Sequence, residues 1–298
     1  MARGNRPARI AALGLLGVPA LSGCTPNNEF WRWGWPDGIT EQSDDVRDLW
    51  VWSVIAALIV GVLVWALIGW TVVKHRKRSD ELPRQTAYNL PLEIVYSIIP
   101  FIIIAGLFFF TVVVQNKVQD RSADPDVRVT VQAFKWNWEF LYPQTDQDGD
   151  EKTEGDQVTV VGSSTEIPVL VLPSDSTVQF YVRSADVIHS FWVPEFLFKL
   201  DVIPGNENGR DNVFQVHIKP GQEGAYVGRC AELCGTYHAY MNFEIRVVSK
   251  DQYQDYLQRR QNGATAFAAL DAVDPDRGGA SVSTKPWNFD EDAQQADG

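Results

Sequence analysis

The metal-binding side chains of this chain are concentrated in one stretch, G-R-C-A-E-L-C-G-T-Y-H-A-Y-M, residues 228–241. The 298-residue sequence has three cysteines, four histidines and two methionines, one of them the initiator. A core that used methionine as filler would contain several, yet the other methionine lies here, shortly after a histidine and a cysteine. Five side chains of the stretch can bind a soft metal or lie beside one: Cys230, Glu232, Cys234, His238 and Met241.

Thiolate and thioether ligands select copper, and imidazole suits it too. Structural zinc sites usually space cysteines as C-x2-C and seldom use methionine, and a blue copper site uses a single cysteine. Two cysteines four residues apart could instead share both sulfurs between two metal ions. The second histidine would then come from elsewhere, and His189 is the best candidate, since His75 lies in a basic run and His217 ends an alternating strand. A short Cys230–Cys234 disulfide is the alternative.

These residues carry a resemblance to a known family. The pattern G-x-C-x-E-x-C-G-x-x-H-x-x-M, downstream of H-S-F-W-V-P and K-L-D-V-I-P-G, resembles subunit II of haem-copper cytochrome c oxidase, and the resemblance extends from about residue 44 to 248. It implies a dinuclear copper centre, CuA, in a cupredoxin domain. By the same resemblance, Cys230 and Cys234 bridge the two coppers, which are completed by the ligands His189, Met241, His238 and the backbone carbonyl of Glu232.

The resemblance implies roles for three further side chains, each with a simpler reading. Trp136, in F-K-W-N-W-E-F, corresponds to the tryptophan that takes electrons from cytochrome c, although most strand tryptophans are packing residues. Glu93 corresponds to an acid at the mouth of a proton pathway into subunit I, although a first-turn carboxylate also favours the helix dipole. The side chain of Glu232 would reach a Mg or Mn ion shared with subunit I, although one carboxylate makes no metal site. The chain departs from the family at Leu197, where many members have glycine.

The N-terminus reads as a secretory signal of the lipoprotein type, as in actinobacterial members of the family. Arg3, Arg6 and Arg9 precede an apolar run, residues 10–21, that ends in L-S-G-C. Cys24 would then be the lipidated first residue of the mature chain. An ordinary signal that happens to end near a cysteine is the alternative.

Two uncharged stretches, residues 49–73 and 94–116, are each long enough to cross a bilayer as a helix. Four basic residues follow the first stretch, so the link is expected in the cytoplasm and both ends of the hairpin outside. The tryptophans near the span ends predict an interfacial belt. From Val127 the pattern changes to many short alternating strands, which predicts an all-β sandwich or barrel of Greek-key type.

The predicted organisation therefore has five parts. They are a signal peptide, 1–23; an exported N-terminal segment, 24–48; a transmembrane hairpin, 49–116, with a cytoplasmic link, 74–92; a CuA cupredoxin domain, 117–249, with an acidic insert, 143–166; and a short helix followed by a flexible tail, 250–298. Charge runs such as the insert are usually solvated loops, and docking of a basic haem protein is the alternative role. The net charge of −12 argues against nucleic-acid binding.

The function expected from the resemblance is that of subunit II of an aa3-type, proton-pumping cytochrome c oxidase in the cell membrane. Its expected partners are subunits I and III, membrane lipid and a c-type cytochrome, which a cytochrome bc complex could hold in a supercomplex. No C-x-x-C-H motif for haem occurs in the chain. A quinol oxidase subunit lacks the copper ligands, and a nitrous oxide reductase needs a large second domain. A stand-alone copper-delivery lipoprotein is the alternative, although it would need neither two spans nor Glu93.

Overall fold

The structure is a computed structural model that describes residues 32, 34–82, 85–122, 124–143, 157–163, 165–205, 212–276 and 282. The chain divides into two compact units, Met1–Asp37 and Gly38–Gly298. In the described part of the first unit, Arg32 pairs with Asp37. Everything that follows concerns the second unit.

Two long helices open the second unit. Helix α1 spans Glu41–Lys74 and helix α2 spans Leu90–Gln119, and both are long and apolar enough to cross a membrane. Each helix begins well before the uncharged stretch that predicted it. The reason is capping: the Thr40 side chain accepts a hydrogen bond from the Ser43 amide, and the Asn89 side chain accepts one from the Leu92 amide. Pro100 lies inside α2.

In the part of the chain that the structure describes, ten strands follow and form two five-stranded sheets. The sheet orders are β3-β2-β1-β5-β8 and β4-β10-β9-β6-β7, each with one parallel pair among antiparallel ones. Phenylalanine rings from both sheets stack in the shared core, with Phe191 and Phe243 at 4.7 Å between centroids and Phe180 and Phe214 also at 4.7 Å. This cupredoxin-like sandwich after a helical hairpin confirms the predicted fold class. The strands are β1 Val127–Phe134, β2 Asn137–Tyr142, β3 Val158–Val161, β4 Val169–Pro173, β5 Ser176–Ser184, β6 His189–Val193, β7 Phe198–Val202, β8 Val213–Ile218, β9 Gly224–Cys230 and β10 Asn242–Val248.

Edge strand β8 joins the sandwich to both helices. The buried side-chain amide of Gln215 forms two hydrogen bonds with the backbone of Ser122, just after α2, at 2.6 and 2.9 Å. On the side of α1, the His217 amide donates to the Gln42 side chain at 3.0 Å, and the Lys219 amide donates to the Ile39 carbonyl at 2.9 Å. Hydrogen bonds to β8 therefore fix both the start of α1 and the segment that follows α2.

Two helices follow β10. Helix α3 spans Lys250–Gln261 and helix α4 spans Ala266–Val273, and α3 packs against β4, β3 and α4. In β10, Glu244 and Arg246, both fully buried, pair with each other, and Arg246 also reaches Asp274 at 3.1 Å. Our prediction of a flexible tail after one short helix is wrong over α4, because Ala269, Leu270 and Val273 bury their side chains in the core.

Candidate metal centre

One loop and one strand end form the candidate centre. Strand β9 ends at Cys230 and β10 begins at Asn242, so the metal-binding stretch forms the loop between two paired strands. The Cys230 amide donates to the Met241 carbonyl at 3.1 Å and closes the base of this loop. His189 is the first residue of β6, whose Phe191 pairs with Cys230. Regular strand pairing thus brings a histidine from a distant segment to the two thiols.

The six predicted ligand groups lie together. The sulfurs of Cys230 and Cys234 are 3.9 Å apart. The Nδ1 atom of His189 lies 3.9 Å from the Cys230 sulfur, and the Nδ1 atom of His238 lies 3.6 Å from the Cys234 sulfur. The Cys234 sulfur also lies 3.7 Å from the Met241 sulfur, and the Cys230 sulfur lies 3.3 Å from the Glu232 carbonyl oxygen.

The centre is shielded from water on most sides. His189 and Met241 are 0% exposed, Cys234 is 5% and Cys230 8% exposed, whereas His238 is half-buried. A burial this deep strengthens electrostatic interactions within the site. Of the two imidazoles, that of His238 is the more accessible to water.

The two thiols behave as a coupled pair. The hydrogen bond from Cys234 is the main reason that the pKa of Cys230 falls to about 4, and the hydrogen bond to His189 lowers it further. The same sharing with Cys230, together with burial, raises the pKa of Cys234. Burial lowers the pKa of His189, but hydrogen bonds to Cys230 and Asp186 outweigh it and raise the pKa overall. Cys230 is therefore the thiol that ionises first, and the thiolate is the form that binds metals.

The donor set fits a pair of soft metal ions. A disulfide has a sulfur–sulfur distance of about 2.05 Å, so at 3.9 Å both cysteines are free thiols and the disulfide alternative is wrong. A metal held at about 2.3 Å from each sulfur, the usual metal–thiolate distance, can contact both sulfurs when they are less than roughly 4.6 Å apart. His189, Cys230 and Cys234 form a metal-binding cluster, and within the described residues no carboxylate belongs to it. Two thiolates, two imidazoles and a thioether are the ligands of copper rather than of Mg²⁺ or Ca²⁺.

Two tryptophans contact this loop from the side of β1 and β2. Trp138 is fully buried and donates from Nε1 to the Met241 carbonyl at 3.3 Å. Trp136 is half-buried, packs edge-on against Tyr237 and donates from Nε1 to the Cys234 carbonyl at 3.2 Å. We expected Trp136 within a strand, and this is wrong: it lies in the turn between β1 and β2. The indole covers Gly235, whose φ of +122° favours glycine.

Asp186 is a residue of the site that the sequence did not predict. Its carboxylate accepts a hydrogen bond from Nε2 of His189 at 2.8 Å, so the opposite ring nitrogen faces the thiols. This hydrogen bond and those from two backbone amides outweigh burial and lower the pKa of Asp186. The spacing D-x-x-H is the only sequence signal for the pair, and it is common by chance.

The remaining predicted site residues lie apart from this cluster. Glu93 lies in the first turn of α2, where its Oε1 accepts from the Asn89 amide at 2.9 Å, so it caps the helix. The Glu232 side chain is half-buried beside the loop. Cys24 and residues 144–156 of the acidic insert lie outside the described residues.

Known proteins resemble this chain over nearly its whole length. The family described as "Cytochrome C oxidase subunit II, periplasmic domain" matches residues 128–248. The probable cytochrome c oxidase subunit 2 of Nocardia farcinica is 46% identical, over 99% of this chain and 92% of that protein. Cytochrome c oxidase subunit 2 of Mycobacterium tuberculosis H37Rv is 44% identical over 96% and 90%, and that of Corynebacterium glutamicum is 39% identical over 97% and 94%.

A solved structure gives a more distant likeness. The periplasmic domain of cytochrome oxidase subunit II of Bradyrhizobium japonicum is 26% identical and covers 48% of this chain and 98% of that one, with a TM-score of 0.38.

A sandwich with a buried dithiol site, attached to two helices that are long and apolar enough to cross a membrane, defines a membrane-anchored copper protein with a periplasmic domain. Thiolate, thioether and imidazole donors are present together, as such a protein requires. The chain belongs to the cytochrome c oxidase subunit II family and is thus part of an oxidoreductase complex. The predicted resemblance is confirmed.

Proposed function

We propose that this chain receives electrons singly from a c-type cytochrome and passes them to haem a in subunit I of an aa3-type oxidase, where oxygen is reduced to water with proton pumping. The observation that carries the proposal is the pair of sulfurs 3.9 Å apart, each with its own imidazole nitrogen within 3.9 Å. A copper pair held there would supply one-electron chemistry.

The proposed ligand assignment is the one that the family resemblance implies, and the contacts of the two thiols bring all six groups together. Cys230 and Cys234 would bridge the metals. His189 and Met241 would complete one metal, and His238 with the Glu232 carbonyl would complete the other. These side chains project from strand ends and from a loop closed at its base, so the same ligand positions suit both oxidation states. Fixed positions keep the reorganisation that accompanies each electron small.

Trp136 is the proposed point where electrons enter. Its indole is half-buried, so one edge can face a donor while Nε1 contacts the Cys234 carbonyl at 3.2 Å. Trp138 is fully enclosed by residues such as Phe191 and Phe243, and we assign it to packing and orientation. The acidic insert, residues 143–166, would steer a basic donor, which a cytochrome bc complex could hold nearby.

The proposed topology places the sandwich and both termini outside the cell. Lys74, Arg76, Lys77 and Arg78 follow the first apolar stretch and favour a cytoplasmic link. Lipidation of Cys24 would add an anchor on the outer side, and subunits I and III would cover the hairpin. Glu93 would serve the proton pathway only when it leaves the Asn89 amide. The Glu232 side chain would bind Mg or Mn only together with ligands from subunit I.

Rapid mixing of the purified oxidase with a reduced c-type cytochrome tests the proposal. In wild type, haem a is reduced after the cytochrome is oxidised. Cys230→Ser should abolish this reduction, while dithionite still reduces haem a and shows that the haem is intact. Haem reduction by the cytochrome at the wild-type rate in Cys230→Ser would refute the proposal.

A further inference from the structure

Asp186 connects two parts of the centre that are distant in sequence. It lies in the loop between β5 and β6, and its Oδ1 accepts hydrogen bonds from Nε2 of His189 at 2.8 Å and from the Val187 amide at 2.6 Å. Its Oδ2 accepts from the Lys135 amide at 2.7 Å. Lys135 directly precedes Trp136 in the turn between β1 and β2. One carboxylate thus bonds both a proposed metal ligand and the turn that carries the proposed electron acceptor.

The contacts form a closed ring. From Asp186 the ring passes through His189 to the two thiols, and the Cys234 carbonyl accepts from the Trp136 indole. The turn that carries Trp136 leads back through the Lys135 amide to Asp186. A shift of the turn would therefore stretch either the bond to Asp186 or the bond to Cys234.

The two imidazoles of the site differ in this respect. His189 donates to a carboxylate, whereas His238 pairs with no carboxylate among the residues that the structure describes. A carboxylate on the outer nitrogen fixes the tautomer and ring orientation of a metal-binding histidine and makes the ligand more basic. The negative charge also favours the oxidised, more positive state of a metal held by that ring.

We propose that Asp186 is a positioning residue for electron transfer, which orients His189 toward the thiols and holds the Trp136 turn against the metal-binding loop. This inference rests on the proposed function. It adds a residue that acts through a ligand and through a turn.

The test compares Asp186→Asn, Asp186→Ala and a matched control in the full-length chain, within the purified oxidase. The control is Asp126→Asn: the Asp126 carboxylate accepts from the Thr177 amide at 2.7 Å, but at the opposite end of β1. An eight-residue strand is about 26 Å long, so this end of β1 is far from the copper site. The control thus removes one negative charge from a carboxylate that also accepts from a backbone amide, without touching the ring.

Two measurements are independent of turnover. The first is the redox equilibrium of the copper signal. Asp186→Asn should retain copper and shift this equilibrium toward the reduced state about tenfold, the scale of outer-shell substitutions, which equals about 59 mV for one electron. The second is hydrogen exchange at the Lys135 amide in copper-free protein, which should accelerate in both Asp186 variants. Neither should change in Asp126→Asn.

The outcomes separate this inference from the proposed function. If wild-type protein shows no dinuclear copper signal, the proposed function fails, and the Lys135 exchange still decides whether Asp186 holds the turn. If the wild-type signal is present but Asp186→Asn leaves the redox equilibrium and the Lys135 exchange unchanged, the Asp186 inference is overturned. Asp186→Asn keeps the size of the side chain, so folding failure of Asp186→Ala alone does not decide the matter.

Discussion

The indole nitrogen of Trp136 donates to the carbonyl oxygen of Cys234 across 3.2 Å, although the two residues lie 98 positions apart in sequence. Cys234 is one of the two thiols, so this hydrogen bond is a direct contact between the surface of the sandwich and the metal-binding loop. Trp138 makes a comparable bond to the Met241 carbonyl but is fully buried. Accessibility therefore distinguishes two tryptophans that the sequence places two residues apart.

Replacing Trp136 should slow electron uptake without disturbing copper. We expect Trp136→Phe to retain copper and to lower the rate of cytochrome oxidation on the order of 100-fold, the scale of a misplaced reacting group. Stopped-flow absorbance at low salt measures the rate, and Tyr237→Phe serves as the control because it preserves the ring beside Trp136. A wild-type rate in Trp136→Phe would exclude this residue as the point where electrons enter.

At position 197, glycine should give a more stable protein than alanine, the reverse of the usual order within helices and strands. Its φ is +52°, in the left-handed region, which costs a side-chain-bearing residue about 1–2 kcal/mol. Glycine has more conformational freedom in the unfolded state than alanine, which lowers the stability of the folded protein by roughly 0.5–1 kcal/mol. The difference between the two effects predicts that Leu197→Gly is more stable than Leu197→Ala by about 1 kcal/mol. Thermal unfolding in detergent measures the difference. Leu200, in β7, is the control, since there alanine should be the more stable; the same order at both positions would contradict the argument.

Gln215 should be needed to fix the hairpin to the sandwich. Gln215→Leu removes the partner of the Ser122 amide and carbonyl. Because Ser122 is exposed and water can replace Gln215, this should cost about 0.5–1.5 kcal/mol of unfolding free energy for each bond and accelerate hydrogen exchange at Ser122. Gln179→Leu is the matched control, because Gln179 accepts from Gln215 but does not touch Ser122. Equal exchange at Ser122 in wild type and Gln215→Leu would show that the junction is held by other contacts.

Alkaline pH should destabilise the sandwich through Tyr256. Burial raises the pKa of this fully buried phenol from 10.0 to about 12, so its contribution is complete below pH 10, the unfolded value, and is lost as pH rises through about 12. The difference between these pKa values corresponds to about 3 kcal/mol of unfolding free energy. Its hydroxyl has no hydrogen-bond partner within the described residues. Tyr256→Phe should therefore fold at neutral pH, and its unfolding free energy should fall less than that of wild type between about pH 10 and 12. Denaturant titrations at each pH measure this, and the same pH dependence in both proteins would contradict it.

The sequence predicted the composition of the site better than its geometry. Four of the ligand residues lie in one short stretch: Cys230, Cys234, His238 and Met241. The preference of thiolates for soft metals is enough to predict a metal site there. His189 could be predicted because the two remaining histidines, His75 and His217, have simpler explanations. Asp186 was missed, since its partners, His189 and the Lys135 amide, meet only after β1 and β5 pair in parallel.

The fold class was predicted from alternation, whereas contacts between distant segments were not. Gln215 lies in a strand and reads as a solvent-facing residue, yet it is buried because the linker after α2 covers that edge. The composition from Gly263 onward, rich in Ala, Gly and Asp with few apolar residues, predicts a flexible tail, whereas α4 forms there and buries Leu270 and Val273 in the core. Tertiary burial of this kind leaves no local signal.

Electron paramagnetic resonance of the full-length chain with copper bound tests the central claim most directly. Two bridged coppers that share one unpaired electron should give hyperfine splitting from two equivalent nuclei, and Cys234→Ser should remove that pattern. A spectrum from a single copper in the wild-type protein, or no bound copper, would contradict the account.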